Sequence, residues 1–206
     1  EEWLERDKVL SGRQKDAIRQ YVRMHTDKPE ELYQIYHAMI RGENYKAETL
    51  EVLMEEGQPV IKIAGNEIRA AFEQLNDFVQ KMILITEKIL PLGSVVEVDI
   101  RELKLETEKP VSSIKAVIVD RFMKKETEKQ YVPYCGIIYP FGDSKKQLFF
   151  TEQAIHTVIH YGYTDRQEDA YVALIKREII KKGYSSYSFA EAEDDKIRML
   201  QSDINL

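Results

Sequence analysis

A chain of 206 residues that is 43% hydrophobic and 32% charged has enough apolar material for one large domain or two small ones, and too much for a disordered segment. Its formal net charge of -6 provides no global attraction for a phosphate backbone, and its single cysteine, Cys135, rules out an intramolecular disulfide. No run reaches the roughly 18–20 apolar residues of a membrane span, and the acidic start EEWLERDK lacks the basic-then-apolar order of a secretory signal, so the expectation is a cytoplasmic protein.

Residues 1–84 read as a helical domain. Ser11 and Gln14 have capping-box spacing, and Ala17, Ile18, Tyr21 and Val22 follow at three-to-four intervals as one apolar stripe. Asp27 and Pro29 mark the next start, Leu32, Ile35, Tyr36, Met39 and Ile40 give its buried face, and Gly42 is a left-handed stop. A shorter helix is expected over Lys46 to Glu56, with Leu50, Leu53 and Met54 inward and Gly57 at its end. The run PVIKIAG from Pro59 to Gly65 is too short to separate strand from helix by period. Ile68, Phe72, Leu75, Phe78, Val79 and Met82 recur at helical spacing and close the series.

Patterning changes at about Leu84, and residues 85–183 read as an α+β domain: a small antiparallel sheet or barrel with a C-terminal helix. Its opening, Pro91-Leu92-Gly93-Ser94, is a turn in which proline fixes φ, glycine supplies a positive φ and serine bonds back to the backbone. Val95 to Ile100, Ile114 to Val119, Tyr131 to Tyr139 and Gln147 to Phe150 are strand candidates, and the stretches Arg101 to Ser113 and Asp120 to Gln130 read as long charged connections. AIHTVIHYGY, from Ala154 to Tyr163, reads as a short helical turn and then a strand. Asp165 and Glu168 again have capping-box spacing, and Ala170, Tyr171, Leu174, Ile175 and Ile179 give the following helix an apolar face before Gly183. Residues 184–206 are a polar tail with the acidic run EAEDD.

No motif marks a catalytic centre, a cofactor site or a metal site. His156 and His160 share a face, but no third ligand accompanies them, and on a strand they would stand about 13 Å apart. Cys135 sits in an apolar strand with no sequence partner to activate it and reads as a small buried hydrophobe. Arg121, Lys124, Lys125 and Lys129 are nearly cancelled by Asp120, Glu126 and Glu128, so a nucleic-acid surface is not expected. The aromatic residues Tyr131, Tyr134, Tyr139, Phe141 and Tyr163 are the candidates for a protein-binding surface, since tyrosine combines an apolar body with a polar tip.

The elements ILPLGSVV from Ile89, YCGIIYPFG from Tyr134, and Phe149 to Tyr163 ending in Gly162-Tyr163 together resemble a family of small proteins of unknown function encoded beside type VII secretion genes for LXG-type toxins. The resemblance covers roughly residues 88–180 and carries no catalytic residue. It implies a non-enzymatic adaptor or chaperone for a secreted toxin, or for a component of the secretion machinery, with an immunity protein as the alternative. The helical stretch before Met82 is not part of it. LSGRQKDAIRQYV with Ile40-Arg41-Gly42 faintly resembles the helical start of ADP-ribosyltransferase toxins, and Glu191-Ala192-Glu193 offers paired glutamates. The serine run YSSYS precedes them by too few residues for that family's arrangement, which leaves a degenerate ADP-ribosyltransferase-like enzyme as the second alternative.

Overall fold

The computed structural model describes residues 2–100, 112–125, 127–143 and 145–189. They form an α+β protein of two compact units that part between Lys88 and Ile89.

In the first unit, helices α1 (Glu2–Arg6), α2 (Gly12–Met24), α3 (Glu30–Arg41) and α4 (Phe72–Thr86) accompany a four-stranded antiparallel sheet. The capping box at α2 is complete: Gln14 N donates to Ser11 Oγ at 3.3 Å and Ser11 N donates to Gln14 Oε1 at 2.7 Å. Gly42 ends α3 in the left-handed region at φ 67°. Ala17, Ile18, Tyr21, Leu32, Ile35 and Met39 are buried, whereas Ile40 turns outward at the edge of the α3 stripe.

The helix expected over Lys46 to Glu56 is instead part of the sheet, whose strands are β1 (Tyr45–Lys46), β2 (Leu50–Glu55), β3 (Gln58–Ile63) and β4 (Asn66–Ile68). Leu50 and Val52 are the buried positions of β2, a period of two, while Leu53 and Met54 are only half-buried. Two hairpin turns decide the outcome. Glu55 pairs with Gln58 across Glu56-Gly57, and Ile63 pairs with Asn66 across Ala64-Gly65. Both central residues of each turn have positive φ (51° and 78°; 48° and 77°), the two-residue geometry whose twist matches that of paired strands. PVIKIAG is therefore strand and turn, and Ile68 belongs to β4 rather than to the helix that follows.

The second unit is an open six-stranded sheet with one long helix. The strands are β5 (Val95–Asp99), β6 (Ser113–Lys125), β7 (Gln130–Ile138), β8 (Gln147–Phe150), β9 (Ile155–His160) and β10 (Ser185–Ser186), with α5 (Arg166–Lys182) between the last two. Their order is β10-β7-β6-β5-β9, with β8 also on β7, and every pairing is antiparallel except β10 with β7. The connection read as Asp120 to Gln130 is mostly strand, because β6 continues through a bulge between Ile118 and Asp120 and a positive φ at Phe122 before turning at residues 127–129. The stretch read as Arg101 to Ser113 lies largely outside the described residues, as do Glu191 and Glu193.

Val96, Val98, Ala116, Ile118, Leu148 and Phe150 are buried on one side of this sheet. Gly136 lies across from Ile118 and Leu148, and a Cβ there would stand 3.1 Å from the Phe150 ring and 3.0 Å from the Val117 carbonyl oxygen, so the missing side chain makes room for Phe150.

Candidate functional site

The turn that opens the second unit is stitched into the sheet. Ser94 N donates to Pro91 O at 3.2 Å across Gly93, whose φ is +79°, and Gly93 N donates to Ile118 O at 2.8 Å. Ser94 Oγ donates to Pro91 O at 2.7 Å and accepts from Gly162 N at 3.0 Å. Gly162 has no room for a side chain, because a Cβ there would fall 2.0 Å from the Leu92 carbonyl oxygen. Pro91-Leu92-Gly93-Ser94 and Gly162 are thus two halves of one structural clasp.

The five aromatic candidates separate into three settings. Tyr131 and Tyr134 lie inside the fold, 4% and 1% exposed, which removes them from any surface open to a partner. Both sides of β7 are covered along this stretch, so the aromatic-rich strand is buried rather than half-buried. Tyr134 stacks on Phe150 with ring centroids 5.6 Å apart, its hydroxyl accepts from Leu90 N at 3.1 Å, and Tyr131 packs against Phe122.

Tyr139 and Phe141 remain exposed, at 56% and 81%, on the turn between β7 and β8. That turn is held by backbone hydrogen bonds, one of them to β6: Tyr139 N donates to Lys115 O at 2.8 Å, Gly142 N donates to Ile138 O at 3.0 Å, and Gly142 adopts φ 65°. Tyr163 is also 81% exposed, but it follows β9, and β6 and β5 separate β9 from β7. Three strand spacings, about 14 Å, therefore divide it from the Tyr139 turn. Near Tyr163 stand further exposed apolar residues: Leu92, whose backbone abuts Gly162, together with Ile159 and Tyr161.

Helix α5 differs from its expected packing. Of Ala170, Tyr171, Leu174, Ile175 and Ile179, only Ile179 is buried, and Tyr171 and Leu174 are exposed. Ion pairs anchor the helix instead. Arg121 binds Glu168, and Lys124 Nζ reaches Glu178 Oε1 at 3.1 Å. Asp165 caps the helix through Gln167 N and Glu168 N, both at 2.9 Å, so only half of the expected capping box forms and the Glu168 carboxylate is left for Arg121.

The basic residues of this region are thereby engaged: Arg121 with Glu168, Lys124 with Glu178, and Lys125 with Glu128. Burial, then the nearby Asp120, pushes the Cys135 thiol up to about 11, which keeps it protonated at neutral pH. His156 and His160 are exposed on β9, and among the described residues no group of three or more His, Cys, Asp or Glu could hold a metal ion. Among those residues, too, no helix is long and apolar enough to cross a membrane.

What these features define is an α+β domain whose distinctive surface chemistry is exposed aromatic and aliphatic side chains on a mainly antiparallel sheet. Residues 89–171 match the model of a family described as a domain of unknown function, DUF4176. The match begins at the first residue of the second unit and ends at Tyr171 within α5. No curated protein matches the chain, and no solved structure does.

Proposed function

We propose that the protein acts by binding another protein, through the aromatic turn between β7 and β8, as an accessory factor or chaperone for a type VII secretion toxin. The observation that carries the binding role is Phe141, 81% exposed at the tip of a turn fixed by backbone hydrogen bonds. A large apolar ring held in water at a preordered position loses little further conformational entropy when a partner covers it, which is the economy of a binding anchor. The resemblance of ILPLGSVV, YCGIIYPFG and Phe149 to Tyr163 to proteins encoded beside LXG-type toxin genes supports the choice of partner.

The test is co-purification of the full chain with the LXG-type toxin of its own gene neighbourhood, beside the variant Tyr139→Ser, Phe141→Ser. A stable complex that the variant weakens at least tenfold supports the reading. Absence of any complex with the wild-type chain would overturn it. Loss of the toxin's activity within the complex would select the immunity role over the chaperone role.

A further inference from the structure

Beyond that reading, we infer that β9 is an edge built for strand addition, and that its occupant is β9 of a second copy of this chain, paired antiparallel about a two-fold axis. Among the described residues β9 has a strand partner only in β5 and ends the sheet, with none of them paired along its outer side. His156, Thr157, Ile159 and His160 are exposed along it.

The other strand edges of the molecule carry the usual protections against pairing. β1 and β10 are two residues long, β4 is three residues long and holds Glu67 in ion pairs with Lys62 and Arg69, and β8 follows Lys145-Lys146. β9 has none of these devices except irregularity of register on its inner side. From Ile155 to Tyr163 the chain reads IHTVIHYGY, without a carboxylate, a lysine, an arginine or a proline, in a protein that is 32% charged.

Neutrality argues for self-pairing in particular. A two-fold axis sets a strand against its own reverse, so any ionic residue near the axis is brought close to a like charge, which destabilises the pair. Centred on Val158, an antiparallel β9 pair sets Thr157 against Ile159, His156 against His160 and Ile155 against Tyr161, so no carboxylate, lysine or arginine stands at any of these positions. The exposed Leu92, Tyr161 and Tyr163 beside the strand extend the apolar contact beyond the backbone ladder.

Light scattering on the full chain over a concentration series is the direct test, with the expected mass rising to twice that of one chain. Ile159→Lys should return it to the monomer mass, with the melting temperature that the wild-type chain shows when it is dilute enough to be unpaired. Hydrogen exchange supplies a readout that needs no variant, since the β9 amides of the wild-type chain should exchange at least tenfold more slowly at high concentration than at low. A wild-type chain that stays monomeric at every concentration overturns the inference. So does a dimer in which β9 exchange is independent of concentration, because its interface lies elsewhere. Neither result bears on whether the Tyr139–Phe141 turn binds a toxin.

Discussion

Arg121 on β6 and Glu168 in the first turn of α5 form a two-armed ion pair, with Arg121 Nη2 donating to Glu168 Oε2 at 3.2 Å and Nη1 bonding Oε1. Nη1 also donates to the Leu90 carbonyl at 3.2 Å, and the guanidinium lies 5.8 Å from the Tyr171 ring centre. One buried cation therefore ties the entrance of the second unit, its central strand and its helix together. Removing the acid strands that charge in the interior, which costs about 3 kcal/mol, while replacing the arginine by an apolar residue of similar volume costs less. Glu168→Ala should accordingly destabilise the chain more than Arg121→Met does. Urea denaturation of both single variants and the double variant measures the order and the coupling.

Gly162 offers a sharper steric test. The Cβ of alanine would lie 2.0 Å from the Leu92 carbonyl oxygen and 3.0 Å from Ser94 N, and both obstacles are backbone rather than a yielding side chain. Gly162→Ala should lower stability by about 2–3 kcal/mol and loosen the Ser94–Gly162 hydrogen bond. At the other half of the clasp, Gly93→Val places a β-branched residue at φ +79°, with an expected loss of about 1–2 kcal/mol. Calorimetry on the two variants checks both, and an unchanged melting temperature in either would count against the clasp.

The Pro91–Ser94 turn and the helix ends were legible in the sequence because their chemistry is local, whereas the bond from Gly162 that closes the clasp comes from 68 residues away. Ser11 with Gln14, Gly42, Gly93 and Gly183 each act within a few residues of themselves. The β2–β3 hairpin was not legible, because Leu50, Leu53 and Met54 also satisfy a helical spacing and the deciding signal was the turn chemistry of Glu56-Gly57. Burial along β7 was hidden for a different reason. Whether Tyr131 and Tyr134 face solvent depends on what covers the two faces of the sheet, and strand alternation leaves that open. Likewise, α5 has the spacing of an amphipathic helix but is anchored by charges on β6 that lie more than forty residues away in sequence.

The hairpin correction predicts a stabilising substitution. Glu56 occupies the first central position of a turn that requires positive φ, where asparagine is better accommodated than glutamate. Glu56→Asn should raise stability by roughly 0.5–1 kcal/mol, whereas a helix over Lys46 to Glu56 would make the same change neutral or unfavourable. Thermal unfolding of the variant beside the wild type decides between the two.

Glu152 gives the chain a pH dependence of its own. Its carboxylate sits in the turn between β8 and β9 and accepts from Ser188 Oγ at 2.9 Å, while Ser186 Oγ donates to Ser188 Oγ at 2.9 Å, so this acid anchors the chain after β10. Burial pushes the Glu152 carboxyl up from 4.5 to about 7, against the lowering effect of its backbone and Ser188 hydrogen bonds and of Lys176. Because the folded-state value is the higher one, the native chain holds a proton between these pH values that the unfolded chain has released. The associated stability is complete below about pH 4.5, declines as pH rises and is lost by about pH 7. With partial exposure discounted, the effect is about 2 kcal/mol. Glu152→Gln keeps an oxygen for Ser188 but cannot ionise, so the variant should exceed the wild type in melting temperature at pH 8 and match it at pH 4.5. A constant difference between the two proteins across that range would mean that Glu152 does not titrate there.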